Sequence, residues 1–194
     1  MLIWLLLLPA YALGTFPSAV WIARSKSVDI TQVGSGNPGA SNISRTLGKP
    51  WGVLVFVLDG LKGAIPAAAG VLLDDRKLAW AMVAAAVVGH MFPVTRRFKG
   101  GKGVATTAGG ALVLQLWVAA SLFVLWYVVL KLTKKASAAS LAIMVGLPVG
   151  VAITGTAGWE IATIIAINAL VFVRHIGNIK RLLTGKELSS ERQA

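Results

Sequence analysis

The sequence predicts an all-α, polytopic integral membrane protein with seven transmembrane helices and cytoplasmic glycine-rich loops. Three observations carry that prediction. Of 194 residues, 56% are hydrophobic and only 13% charged, a balance ordinary for a membrane protein and extreme for a soluble domain. The apolar residues fall in runs close to the roughly 20 residues that cross a bilayer as a helix. The net charge of +12 is gathered into short clusters between those runs. That pattern suits cytoplasmic loops beside anionic headgroups better than a nucleic-acid surface. There is no cysteine, which excludes disulfides and thiolate metal sites.

The elements follow in order. Residues 1–23 carry no charge before Arg24. A cleaved signal peptide would need a basic leading region, so this run is read as a retained span. Residues 51–73 and 78–95 are the next two spans, separated by the polar turn Asp74-Asp75-Arg76-Lys77. Residues 104–130 are uncharged and long for one span, and 136–154 and a short 159–173 complete the apolar runs. Arg24, Lys26, Arg45 and Lys49 form the first basic cluster, and Arg96, Arg97, Lys99 and Lys102 the second. Lys131, Lys134 and Lys135 form the third, and Arg174, Lys180, Arg181, Lys186 and Arg192 the last. If all four face the cytoplasm, an even number of crossings must separate each pair. That parity makes residues 104–130 a hairpin of short arms turning near Gln115, with the N-terminus outside and the C-terminus inside. The chain reads as a single domain, 1–194, whose tail after about residue 186 is frayed.

Two glycine-rich loops occupy the polar gaps. The first is Val33-Gly34-Ser35-Gly36-Asn37-Pro38-Gly39-Ala40-Ser41-Asn42, with Arg45 just beyond. The second, Phe98-Lys99-Gly100-Gly101-Lys102-Gly103, opens the next apolar run. Glycine lets the backbone N–H groups approach a ligand closely, and a helix opening on such a turn can cradle an anion. Ser137 and Ser140 follow Lys134-Lys135, and Arg174-His175-Ile176-Gly177-Asn178 closes the last run. Asp29 is the one carboxylate read as near any of these groups in sequence. A site rich in Arg, Lys, Ser and Asn and poor in carboxylates suits a phosphate monoester. Plainer roles stand beside this reading. Arg96, Arg97 and Lys99 serve as topology anchors, the glycines as turn residues, and His90 and His175 as polar residues of apolar segments. Asp59 and Lys62 lie three apart within a span and share a face. They are read as an internal ion pair, or with Lys62 turned toward the substrate site.

Residues 33–49 resemble the first motif of the bacterial acyl-phosphate:glycerol-3-phosphate acyltransferases, the PlsY family. Gly89-His90-Met91-Phe92-Pro93 with 98–106 resembles the second, and Arg174-His175 with Asn178, Arg181-Leu182-Leu183 and Gly185 the C-terminal signature. Leu58-Asp59 and Leu61-Lys62-Gly63 also match, and the resemblance runs from about Tyr11 to Lys186. It is weakest at Lys135-Ala136-Ser137-Ala138-Ala139-Ser140, where Ser137 takes the place of the functional serine and Ser140 is the alternative.

The resemblance implies transfer of a fatty acyl group from acyl phosphate to the sn-1 hydroxyl of glycerol 3-phosphate. The products are lysophosphatidic acid and phosphate, in the first step of phospholipid synthesis at the bacterial cytoplasmic (inner) membrane. No acyl-CoA, cofactor or metal is implied. The expected partners are the two substrates and the lipid bilayer, and monomer or oligomer is left open. By position, Ser35, Asn37, Arg45 and Lys102 would hold the phosphate of glycerol 3-phosphate. The N–H groups of Gly100, Gly101, Lys102 and Gly103 would hold the acyl phosphate, with Ser137, His175 and Asn178. Lys102, His175, Ser137 and Asn178 are the catalytic candidates. His175 is either a general base or an orienting group, since a substrate phosphate can also take the proton. The rival class, a small-anion transporter, would concentrate polar groups at the midplane.

Overall fold

A computed structural model describes residues 2–191; Met1, of the first apolar run, and Arg192, of the last basic cluster, lie outside the described residues. Every regular element among the described residues is helical. A 3₁₀ turn, Leu2–Leu6, leads into α1 (Leu7–Gly14) and α2 (Ser18–Arg24). Pro17, which lacks an N–H, separates α1 from α2. A short amphipathic helix, α3 (Ala40–Leu47), precedes α4 (Lys49–Leu72), which has proline in its first turn. There follow α5 (Arg76–Met91), a 3₁₀ turn (Val94–Arg96), α6 (Val104–Leu114), α7 (Leu116–Thr133), α8 (Ala136–Ile153) and α9 (Gly158–Leu183).

Lipid is as apolar as leucine, so helices in a bilayer associate through close packing and polar contacts. The α4–α6 contact has the small residues this requires. A methyl group added to Gly63 would lie 1.9 Å from the Thr106 carbonyl oxygen, and one on Gly109 2.0 Å from that of Gly60. The two backbones touch, and only glycine permits it. Side chains of α5, α6, α8 and α9 fill the main core around Trp80, Val83, Met91, Met144, Leu147, Ile164 and Val171. Helix α7 stands at the edge: Val118 is its one buried residue.

A polar knot closes the end of the bundle away from the basic clusters. The buried Glu160 carboxylate accepts from Arg76 Nε (2.6 Å) and Nη2 (3.0 Å), Trp80 Nε1 (2.9 Å) and Gln115 Nε2 (3.1 Å). Arg76 Nη2 also donates to the Leu114 carbonyl at 2.8 Å. The start of α5, the end of α6 and the start of α9 are thereby tied together. At the opposite end, Lys102, before α6, reaches Asn178, and Lys135, after α7, donates to the Glu187 carbonyl. The chain therefore leaves along α6, breaks at Gln115 (φ −142°, ψ 54°) and returns along α7.

Six of the seven expected spans coincide with helices long enough to cross a membrane, and the remaining short arm coincides with α6. Six helical segments among the described residues are long and apolar enough to cross a membrane: Leu2–Arg24, Lys49–Leu72, Arg76–Arg96, Leu116–Thr133, Ala136–Ile153 and Gly158–Leu183. With 11 residues, α6 rises only about 16 Å, about half of a hydrocarbon core. The last helix also continues through Arg174, His175, Asn178 and Arg181 to Leu183, well past the expected end near residue 173. Its C-terminal signature is thus displayed on a rigid element.

Candidate active site

The first loop is built around α3. Asn42 and Ile43 on this helix are buried, and Arg45 lies part-buried one turn on. Arg45 Nη2 donates to Ser35 Oγ at 3.4 Å and Nη1 to the Ser189 carbonyl at 3.3 Å, while its Nε is buried without a partner. Ser35 Oγ also accepts the Asn37 N–H at 3.4 Å. Burial lowers the pKa of Arg45 below the usual guanidinium value, yet an arginine stays charged. An unpaired buried guanidinium N–H is a costly feature that an anion would satisfy.

The second loop is clamped on both sides. The Gly100 N–H donates to Met91 O (3.1 Å) and the Gly101 N–H to His90 O (3.0 Å). Arg174 Nη2 donates to Gly100 O (2.8 Å) and its Nε to Gly101 O (3.1 Å). A methyl on Gly101 would lie 2.1 Å from His90 Nε2. The expected four-amide cradle therefore narrows, because the N–H groups of Gly100 and Gly101 are engaged. What the loop still offers a ligand is the start of α6, capped by Gly103 at φ 84°. Lys102 Nζ points into the site and donates to Asn178 Oδ1. Burial is the main cause pushing the Lys102 ammonium down to about 8; Glu187 opposes it, and Arg181, Arg45 and Arg174 add to it.

Helix α9 carries two of the candidate residues on one face. His175 and Asn178 are spaced i,i+3 and both are buried. His175 Nδ1 lies 2.8 Å from the Val171 carbonyl, which can only accept. Nδ1 therefore carries the proton and Nε2 presents a lone pair. Asn178 is bridged by its two amide ends, Oδ1 to Lys102 and Nδ2 to Glu187 Oε1 at 2.6 Å.

Glu187 is the residue that reading the sequence missed. The tail was expected to fray, but residues 186–191 fold back across the site. Lys186 N–H donates to Arg181 O, Ser190 N–H to Lys134 O, and Lys134 pairs with Glu191 at 3.0 Å. The Glu187 carboxylate accepts from Ser137 Oγ (2.9 Å), Asn178 Nδ2 (2.6 Å) and Arg181 Nε (2.8 Å). Burial pushes this carboxyl up, but hydrogen bonds from Asn178, Ser137 and Arg181, with the Arg181 charge, outweigh it and hold the pKa below the usual value. The available signal was a carboxylate nine residues after Asn178, just past the left-handed turn at Gly185 (φ 70°). Asp29, the carboxylate singled out from sequence, instead caps its own exposed turn through Thr31.

Ser137 thus joins the constellation through Glu187, whereas no hydrogen bond links Ser140 to it. Asp59 and Lys62 form a buried pair at 2.5 Å, and Ser18 Oγ donates to the same carboxylate oxygen at 2.5 Å. His90 Nδ1 lies 3.8 Å from that oxygen, and the pair lines one cavity with His90, Gly100 and Gly101. Arg97 and Lys99 are exposed, in keeping with anchors at a membrane surface.

The fold and this end of it define a class: an integral membrane protein that gathers arginine, lysine, hydroxyl and amide donors where a phosphate-sized anion can be held. The comparisons with known proteins specify it further. The family model described as glycerol-3-phosphate acyltransferase matches residues 4–185. A glycerol-3-phosphate acyltransferase of Aquifex aeolicus (strain VF5) is 42% identical over 181 residues, covering 92% of this chain and 94% of the relative. One from Syntrophotalea carbinolica is 38% identical over 187 residues, covering 95% of each. Among solved structures, PlsY (YgiH), an integral membrane glycerol 3-phosphate acyltransferase in its glycerol 3-phosphate form, superposes with a TM-score of 0.93 at 40% identity, over 97% of this chain and 96% of that one. Its lysophosphatidic acid form gives 0.91 at 39% identity, over 97% of this chain and 95% of that one. The chain belongs to the glycerol-3-phosphate acyltransferase family.

Proposed function

We propose that this protein transfers a fatty acyl group from acyl phosphate to the primary hydroxyl of glycerol 3-phosphate. As a member of its family it is an acyltransferase acting on glycerol 3-phosphate. The observation that carries the fuller reading is the cationic cluster built on the two loops and α9: Lys102 on Asn178, Arg45 on Ser35, Arg174 on the glycine loop and Arg181 on Glu187, the carboxylate that also holds Asn178. Such a surplus of fixed positive charge suits two phosphate-bearing substrates.

In this reading Ser35, Asn37, Arg45 and Lys102 hold the phosphate of glycerol 3-phosphate. The start of α6, Ser137, His175 and Asn178 hold the acyl phosphate. The hydroxyl oxygen attacks the acyl carbon, the carbon–oxygen bond to phosphate breaks, and lysophosphatidic acid and inorganic phosphate leave. Phosphate is a good leaving group, so the protein's work is placement and neutralisation of developing charge. The hydroxyl proton passes to a substrate phosphate, with the lone pair on His175 Nε2 as the alternative acceptor. The acyl chain lies among the helices, which accounts for membrane spans in a transferase.

The basic ends of the helices face the cytoplasm of the bacterial inner membrane, the N-terminus lies outside, and α6 and α7 form a membrane hairpin whose turn at Gln115 lies outside. Residues 1–194 act as one domain. The transporter reading is disfavoured because the groups suited to binding a phosphate collect at one end of the bundle. The test is purified protein with long-chain acyl phosphate and glycerol 3-phosphate, with phosphate release followed. Turnover that requires both substrates, with no turnover from acyl-CoA, is expected. Turnover from acyl-CoA alone would overturn the donor assignment.

A further inference from the structure

Asn42 takes no part in the mechanism above, yet it is among the most enclosed polar side chains of the protein, 1% exposed. Its amide organises the first loop. Asn42 Oδ1 accepts the Ser35 N–H at 3.0 Å, and Asn42 Nδ2 donates to the carbonyls of Val33 (3.0 Å) and Ile30 (3.2 Å). One side chain thereby serves three backbone groups of a tight loop, of which Val33 O also accepts the Gly36 N–H at 3.0 Å. The loop closes onto it without slack. Gly34, at φ 59°, could not carry a methyl, which would lie 2.3 Å from Asn42 Oδ1. The amide is anchored from below by Ile43, wholly buried with Ile30, Ala23 and Val55 in a small core between α2, α3 and α4.

Asn42 and Arg45 are i and i+3 on α3. Both bind Ser35, the first through its backbone N–H and the second through its hydroxyl. We propose that Asn42 is a positioning residue that sets Ser35 in register with Arg45, and so fixes the spacing of the hydroxyl and guanidinium that receive the phosphate of glycerol 3-phosphate. The proposal rests on the assignment of Ser35 and Arg45 to that phosphate. The chemistry requires asparagine. Aspartate has the same shape and can accept the Ser35 N–H, but its ionised form turns an oxygen toward two carbonyl oxygens. Alanine removes these partners from the Ser35 N–H and the Ile30 carbonyl and leaves Val33 O with the Gly36 N–H alone.

The experiment is a double-mutant cycle on full-length purified enzyme, with Ser35→Ala, Asn42→Ala, Asn42→Ser and the Ser35→Ala/Asn42→Ala pair. Asn42→Ala should raise KM for glycerol 3-phosphate about tenfold, with KM for acyl phosphate within twofold and the melting temperature lowered by roughly several degrees while the protein still folds. Asn42→Asp should match it or be worse. On the Ser35→Ala background, Asn42→Ala should change KM by less than twofold, because its effect is spent through Ser35. Additive effects of the two substitutions would overturn the proposal, as would equal losses in both KM values. If Asn42→Ala and Asn42→Ser both fail to give folded protein, Asn42 is a folding residue and the proposal is wrong. Wild-type KM in Ser35→Ala alone would instead remove the underlying assignment of the site, a distinguishable result.

Discussion

Lys102→Ala removes the ammonium that stands between the two glycine-rich loops and α9. In the folded protein this group is part-buried, donates to Asn178 Oδ1 and feels Arg181, Arg45 and Arg174. A charge-assisted hydrogen bond of this kind contributes about 1.5–3 kcal/mol. At about 1.4 kcal/mol per decade, kcat/KM for glycerol 3-phosphate should fall roughly ten- to a hundredfold. The fold should survive, because losing the ammonium relieves repulsion with three arginines while forfeiting attraction to Glu187. A second signature follows from its depressed pKa of about 8. The charged form declines as pH rises, so about a tenth of the free enzyme lacks the charge at pH 7 and about nine tenths at pH 9. The wild-type kcat/KM should therefore drop on the alkaline side with a midpoint near pH 8. Bound phosphate raises the lysine pKa, so the corresponding limb in kcat should lie higher. Phosphate release at subsaturating glycerol 3-phosphate between pH 6 and 10 measures both effects. Wild-type kcat/KM in Lys102→Ala would refute the reasoning, and an unchanged alkaline limb in that variant would assign the limb to another group.

Other outcomes follow from the same geometry. Asp59→Ala leaves Lys62 as an unpaired buried cation, and about 3–5 kcal/mol of stability should be lost, seen as reduced folded yield and a lower melting temperature. A normally folded but inactive Asp59→Ala would make the pair functional. Arg45→Lys should recover only part of wild-type kcat/KM, since an ammonium cannot reproduce the planar two-pronged contact; full recovery would show that charge alone suffices. In His175→Asn the new amide can still donate to Val171 O while the Nε2 lone pair is gone. Substantial activity with an unchanged pH profile is expected, and abolished activity in a normally folded variant would make His175 the base. Single cysteines at Gln115 and Gly155 should react with an impermeant thiol reagent from outside, and one at Lys134 from the cytoplasm only; Gln115 labelling from the cytoplasm would sink the hairpin.

Much of this protein was legible in its sequence because the bilayer imposes a simple rule. A spanning segment must satisfy its own backbone and face hydrocarbon, so apolar runs translate directly into helices. The basic clusters then group the polar loops, and the break at Gln115 was required by their parity before any helix was placed. The glycine-rich loops were equally visible, since positive φ and close backbone contact leave glycine as their mark at Gly34 and Gly103. What sequence could not supply were contacts that depend on where distant segments meet. Gly100 and Gly101 looked free to bind a ligand, but the turn after α5 lays their N–H groups against His90 and Met91. Beyond Gly185 the carboxylate nine residues after Asn178 is a weak mark, and the convergence of Ser137, Asn178 and Arg181 gives Glu187 its reason to be buried. The contacts that hold the end of α6 were hidden for a similar reason, because Arg76 and Glu160 are far apart in the chain. Local chemistry and the bilayer determined the helices and the loops; the pairing of charges across the bundle decided which of their groups remain available to a substrate.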